Sequence, residues 1–380
     1  MRIGLFPGTL GGGGAERVML TLAKGFAKKG LDVTIYVVNK TGEYFKEIPG
    51  NVKLVDYNAR LGAKSITHKV RKTLKQEELD VVITTLPFIS IIVAIASIGL
   101  RKKPKLIYRE ASTPSKDAKN DWRRKLLVRL INRFDLMIAV SNAAKSDILT
   151  TFKVSSSFVK VIYSPIVDEN LVIKSRETAN HQWLSDKKVT IMGVGRVIPS
   201  KRYDTLIDAL AHVRNKIDAR LLILGERNEN SSCYKKLMDQ IDSLKLKDKI
   251  EFLGFDNNPF KYLSKASVFV LSSEYEGLPG VLIQAMACGC QVVSTDCPSG
   301  PREILENGKY GRLVEVGNST ALAEAIVETL QRPVGKEKLV QRAGFFSVSS
   351  GVDHYLECIN EVTVPEIDVR NFSKLRGVSK

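Results

Sequence analysis

A run of strand-like segments separated by helix-like ones starts at residue 2, breaks near residues 164–168 and starts again at residue 189. No other feature of the chain restricts its fold so far. The apolar, β-branched runs 2–6, 32–38, 52–56, 81–85, 106–109 and 136–140 read as strands. Helical stretches at 15–29, 65–76, 122–132 and 143–150 lie between them. The second series has strands at 189–193, 219–225, 250–253, 268–271, 291–295 and 311–314, with helices at 203–214 and 234–244. Such alternation calls for a parallel sheet covered on both faces. Two doubly wound α/β domains meeting at a cleft are expected, with ligands beyond the carboxyl ends of the strands. A length of 380 residues fits two domains of about 100–200 residues each. The division expected is 1–167 and 168–351. A helix at about 352–362 is expected to return to the first domain, and 363–380 to form an irregular, mobile tail.

The charge is uneven. The chain carries a formal +17; residues 1–170 hold 29 Lys/Arg against 15 Asp/Glu, so most of the excess lies in the first half. A basic half suits nucleic acid, an anionic membrane leaflet or a phosphorylated substrate. The five cysteines (Cys233, Cys288, Cys290, Cys297 and Cys358) are odd in number and form no CxxC pair, which points to reduced thiols. His68, His181, His212 and His354 stand at no ligand spacing from them, which argues against a zinc site. No secretory signal is visible, so a cytoplasmic chain is expected. Residues 81–100 are nearly free of charge and are followed by Arg101, Lys102 and Lys103, as a spanning helix would be. The preferred reading is a β-branched strand, then a short buried helix after Pro87.

Four blocks carry chemistry. Gly11-Gly12-Gly13-Gly14-Ala15-Glu16-Arg17 follows a strand and opens a helix, where glycines admit a close ligand and the helix start favours an anion. A tight structural turn explains it equally well. Gly193-Val-Gly195-Arg196, with Lys201 five residues on, also joins a strand to a helix. Arg offers a forked contact to phosphate and Lys a point charge; two solvated cations are the plain alternative. In 272–289, a strand end runs into Glu274, Glu276 and Gly277-Leu278-Pro279-Gly280-Val281, then a helix bearing Gln284. Carboxylates there can accept several sugar hydroxyls, and the helix start presents free N–H groups. Asp296-Cys-Pro-Ser-Gly-Pro-Arg302-Glu303 forms a loop before another helix.

Taken together, these blocks resemble the family 4 retaining glycosyltransferases of the GT-B fold, in which two Rossmann-like domains face each other across a cleft. The resemblance covers roughly residues 2–360 and is more specific in the second half. It implies a nucleotide-sugar donor, UDP-linked in the commonest case, held mostly by the second domain. It places Arg196 and Lys201 on the diphosphate and Glu276 on the donor sugar. Gly12, Gly13, Gly277, Leu278, Pro279, Gly280 and Val281 would line the donor, with Gly254 and Phe255 near the base. The second Glu of the family's Glu-x7-Glu motif, which binds ribose, is Gln284 here; Gln keeps one carbonyl acceptor and loses the charge. The His that many members place after the strand ending at 109–113 is absent, which leaves Glu16, Arg109 and Glu110 as acceptor or sugar contacts. No Asp-x-Asp metal motif lies near a strand end, so no metal cofactor is expected.

The expected activity is retaining transfer of a hexose or N-acetylhexosamine to a saccharide acceptor. A polyprenyl-diphosphate-linked acceptor in bacterial surface-polysaccharide synthesis would suit the basic half. The stretch from Trp122 to Arg133 mixes cations with an apolar face and could lie on an anionic membrane; an ordinary packed helix has the same pattern. Two rivals remain, a UDP-sugar 2-epimerase and a donor-binding subunit without turnover. No nucleic-acid-binding motif is present, so nucleic acid is not expected as a partner.

Overall fold

The computed structural model describes residues 1–58, 62–117, 122–186 and 188–363. The expected mobile tail therefore lies, but for Thr363, outside the described residues. Seven strands form the first sheet: β1 (Arg2–Gly8), β2 (Asp32–Val37), β3 (Lys53–Asp56), β4 (Val81–Thr85), β5 (Lys105–Glu110), β6 (Leu136–Ala139) and β7 (Val159–Val161). Six form the second: β8 (Val189–Val194), β9 (Ala219–Leu224), β10 (Ile250–Gly254), β11 (Val268–Leu271), β12 (Gln291–Thr295) and β13 (Arg312–Val314). Their orders are β3-β2-β1-β4-β5-β6-β7 and β10-β9-β8-β11-β12-β13. Every pairing is parallel. β7 has only three residues, too few to show a period in the sequence.

Each sheet is covered on both faces. In the first, the helices Gly62–Gln76, Pro87–Ala96, Trp122–Leu130 and Asn142–Phe152 share one core. The helices Gly14–Lys28 and Val348–Thr363 share the other. The last helix thus comes back across the molecule and buries Val352, Tyr355, Cys358 and Ile359 against the first sheet. Burying each large aliphatic or aromatic side chain contributes about 1.5–3 kcal/mol, enough to hold a helix far from its neighbours in sequence. It crosses the helix Gly14–Lys28 at Gly25, where a methyl group would overlap Val352. The second sheet is packed by the helices Tyr203–Arg214, Ser232–Ser243 and Ser319–Gln331 on one face, and by Gly280–Ala287 and Lys336–Gly344 on the other.

Residues 81–100 form β4 and the helix Pro87–Ala96, whose Ile89, Ile92, Val93 and Ala94 are buried. Among the described residues, no helix is long and apolar enough to cross a membrane. The apolar run is explained by burial on both sides of a parallel strand and its crossover helix.

Candidate active site

In a doubly wound sheet the crevice opens where the strand order reverses, because the loops leaving two adjacent strands turn to opposite faces. Those positions are β1/β4 in the first sheet and β8/β11 in the second. Three of the four sequence blocks leave from them: 9–13 from β1, 195–202 from β8 and 272–279 from β11.

The second-sheet loops converge on one ion pair. Lys201 Nζ lies 2.6 Å from Glu276 Oε1, and both side chains are largely buried. The Ser273 hydroxyl donates to the same carboxylate oxygen at 2.6 Å. The loops are also tied through the backbone: Ser272 Oγ donates to the Lys201 carbonyl at 2.7 Å and the Glu274 amide to the Ser200 carbonyl at 2.8 Å. Gly195 (φ +148°) lets the chain pass the Lys201 side chain, and the Tyr203 hydroxyl donates to its carbonyl at 3.0 Å. Arg196 is exposed, and its guanidinium makes no hydrogen bond or ion pair among the described residues. The helix Gly280–Ala287 starts without a side-chain cap, so its first N–H groups carry the positive end of the dipole uncompensated by a cap. Gln284, on that helix, is half-buried, and its amide has no hydrogen-bond partner among the described residues.

The first domain faces this constellation at close range. Gly12 lies across from Phe255: a methyl group on Gly12 would stand 3.4 Å from the Phe255 ring, which is itself 46% exposed. Gly254 adopts φ +78°, which favours glycine. Gly277 is pressed against the first domain. A methyl group there would fall 2.8 Å from the Ala111 carbonyl carbon, and closer still to its oxygen. Thr113 Oγ1 donates to the Glu276 carbonyl at 2.5 Å, and Ser141 Oγ to the Gly277 carbonyl at 3.3 Å. Glu303 reaches the opposite way. Its carboxylate accepts from the amides of Asn142 and Ala143, each at 2.9 Å, and from the Tyr163 hydroxyl at 2.9 Å. An anion at a helix N-terminus is stabilising, so Glu303 fastens the second domain to the start of the helix Asn142–Phe152.

Residues 12–170 match the family model described as Glycosyltransferase Family 4, and residues 175–344 the one described as Glycosyl transferases group 1. A Campylobacter jejuni protein, N-acetylgalactosamine-N,N'-diacetylbacillosaminyl-diphospho-undecaprenol 4-alpha-N-acetylgalactosaminyltransferase, is 32% identical over 363 residues, covering 91% of this chain and 95% of its own. The chain belongs to glycosyltransferase family 4. A second C. jejuni protein, an alpha-1,4-N-acetyl-D-galactosaminyltransferase acting on GalNAc-alpha-(1->4)-GalNAc-alpha-(1->3)-diNAcBac-PP-undecaprenol, is 27% identical over 95% of this chain and 99% of its own. The crystal structure of Anabaena HepE in complex with UDP and glucose superposes with a TM-score of 0.79 over 95% of this chain and 100% of that one, at 23% identity. This glycosyltransferase therefore has the GT-B fold that its sequence implies.

The structure distributes the sequence-derived residues of the glycosyltransferase unevenly. Lys201, Glu276, Gly277, Leu278, Pro279, Gly280, Val281 and Gln284 come together beyond β8 and β11, with Arg196 on the β8 loop and Gly12 and Phe255 at the rim. Gly13 precedes the helix Gly14–Lys28, and Glu16 folds back over it: a methyl group on Gly13 would lie 3.1 Å from the Glu16 carboxyl carbon. That helix start thus already faces a carboxylate of its own chain.

Arg109 and Glu110 are turned away from the cleft. The Arg109 guanidinium is buried and donates to the Tyr355 hydroxyl at 3.1 Å and the Ser164 hydroxyl at 2.7 Å, tying the returning helix to the segment after β7. Glu110 is buried, paired with Arg124, and accepts from Tyr108 and Ser112. The reason is chain direction: side chains alternate along β5, and both of these point into packed layers. Within 122–133, Arg124 is buried against Glu110, so this cation of the stretch faces the core.

Thr113 and Ser141 were not singled out from sequence, and Glu303 entered only as part of the loop block 296–303, not as a contact between the domains. For Thr113 and Ser141 the available signal was a hydroxyl shortly after a strand end, and that signal is common to many N-caps. All five cysteines are free. Burial pushes the thiols of Cys288, Cys290 and Cys297 up to about 12, which keeps them protonated at neutral pH. Among the described residues, no group of three or more His, Cys, Asp or Glu is placed to hold a metal ion.

Proposed function

We propose that this glycosyltransferase moves a hexose or N-acetylhexosamine, with retention, from a UDP-sugar to a lipid-linked saccharide at an anionic membrane surface. The observation that carries the donor half is the Lys201–Glu276 pair at the β8/β11 crevice, with Arg196, unpartnered among the described residues, on the same loop as Lys201. Arg196 and Lys201 take the diphosphate, Glu276 the sugar hydroxyls and Gln284 the ribose. The UDP and glucose in HepE support the choice of nucleotide. As the sugar C1–O bond to phosphate breaks, negative charge grows on the diphosphate, and fixed cations lower the energy of that charge without reorganising. The new C1–O bond forms to the acceptor hydroxyl, whose proton passes to the departing phosphate oxygen. No metal enters this scheme.

The diphospho-undecaprenol acceptors in the names of both C. jejuni relatives support the lipid-linked half. So does a surface of this chain. The helices Gly62–Gln76, Pro87–Ala96 and Trp122–Leu130 lie side by side on one face of the first sheet. Residues 62–76, 87–103 and 122–133 hold 13 Lys/Arg, of which Arg124 is buried, and no Asp or Glu. Ile95, Ile98 and Trp122 are exposed among them. Cations attract an anionic leaflet, and a Trp with two Ile side chains can enter its interface. In flotation assays the chain is expected to rise with phosphatidylglycerol vesicles, less so as salt increases, and not with phosphatidylcholine alone. A Lys72→Glu/Arg101→Glu/Lys102→Glu variant is expected to stay at the bottom. Equal flotation with neutral vesicles, or a preference for RNA at the same salt, would reject the membrane face.

Calorimetric titration with UDP, GDP and ADP in the presence of EDTA tests the donor half. Selective, metal-independent binding of UDP is the expected result. Absence of binding by any nucleotide, or binding that needs a divalent ion, would refute it.

A further inference from the structure

The residue proposed to meet the donor sugar is held from three directions, and one of them belongs to the other domain. The amide of Glu276 donates to the Pro298 carbonyl at 3.2 Å, and its carboxylate is held by Lys201 and Ser273, all within the second domain. Its carbonyl accepts from Thr113, and the next carbonyl, of Gly277, from Ser141. Both hydroxyls are buried, Thr113 at 2% exposure and Ser141 at 0%. Thr113 Oγ1 also lies 3.0 Å from the Ser299 hydroxyl, and Ser299 has a positive φ of 66°. Ser141 is doubly used: it accepts from the Ala144 amide as the helix cap while donating to Gly277.

We infer that Thr113 and Ser141 are positioning residues that set the Glu276–Gly277 peptide, so that the backbone bearing the sugar-contacting carboxylate is fully fixed only when the two domains are closed. The inference rests on the reading of Glu276 given above. Two successive carbonyls gripped by one neighbour fix the plane between them, and hence the direction in which the Glu276 side chain leaves the backbone. If the domains part, water takes over both carbonyls, and Glu276 is left with the contacts of its own domain, to Pro298, Lys201 and Ser273, so that direction is loosened. Arg196 and Lys201 stay on the β8 loop in either arrangement. Diphosphate binding therefore needs the second domain alone, whereas sugar placement needs both. A donor bound to the open protein is held by its nucleotide while its sugar remains out of register.

The test is Thr113→Val, which keeps the shape and removes the hydroxyl, with Thr113→Ser as the restoring variant. Ser141 is left intact because its loss would also uncap a helix. Loss of one buried hydrogen bond made in the reacting state is expected to lower kcat about tenfold. UDP affinity measured by titration is expected to be unchanged, and Thr113→Ser to return kcat to the wild-type value. Amide exchange in residues 274–281 is expected to be faster in Thr113→Val, with the rest of the second sheet unaltered. Unchanged kcat, a parallel loss of UDP affinity, or failure of the Ser variant to recover would overturn the inference. So would identical exchange in that segment, a readout that stands even if the chain transfers no sugar. A wild-type protein that binds no UDP-sugar counts instead against the donor assignment.

Discussion

An Arg196→Ala/Lys201→Ala double variant is expected to lose sugar transfer by about 10³-fold or more, because two fixed cations facing one developing charge act as a unit. The fold should survive. Arg196 has no partner among the described residues, so its removal breaks nothing. Removing Lys201 leaves Glu276 with the Ser273 hydroxyl as its remaining side-chain donor. That side chain is largely but not wholly buried, 15% exposed, so water can reach the carboxylate once Lys201 is cut back. Single-turnover rates with UDP-sugar, together with UDP titration, separate the outcomes. Loss of both rate and UDP affinity is the expected result. Retained affinity with a lost rate would move the cations from ground-state binding to the transition state alone. An unchanged rate would remove them from the site.

Gly277→Ala is expected to lower kcat by about 10²-fold while leaving UDP affinity nearly intact, since misplacing a reacting group by about 1 Å carries that cost. The added methyl group would collide with the Ala111 carbonyl and stand 3.1 Å from Ser112 Cα. These are backbone atoms of the other domain, and backbone cannot turn aside as a long side chain can. Within the second domain the position is permissive, because Gly277 is not among the glycines at positive φ. The variant domain should therefore fold and bind nucleotide, yet be unable to close. Small-angle scattering should show a larger radius of gyration with donor bound than in the wild type. Full activity in this variant would mean that the closed arrangement seen here is not the working one.

Much of this molecule was legible in its sequence. Alternating strand and helix runs, restarted after residue 188, specify two parallel sheets, because most crossovers are long enough for a helix and most strands carry an apolar, β-branched centre. The loops bearing Lys201 and Glu276 were legible for a related reason. They combine glycine, proline and charge immediately after apolar runs, and such loops lie at carboxyl strand ends by construction. The apolar stretch 81–100 was legible too, since β-branched residues followed by proline interrupt any spanning helix.

Other features belong to the tertiary structure alone. The resemblance makes Arg109 and Glu110 candidate sugar or acceptor contacts, because they end the strand after which many family members place a His. Their side chains are claimed instead by Tyr355, 246 residues away, and by Arg124 across a loop. The salt bridge between Lys201 and Glu276 joins residues 75 apart. The grip of Thr113 and Ser141 on the donor loop, and of Glu303 on a helix start, spans more than 130 residues in each case. Local pattern determines which segments are strands, which are helices and which loops leave a sheet at its open end, because those depend on periodicity and turn chemistry over a few residues. Which polar groups become partners depends on how the elements pack within each domain and how the two domains meet, and hydrogen bonding is decided by distances of a few tenths of an ångström that no local pattern encodes.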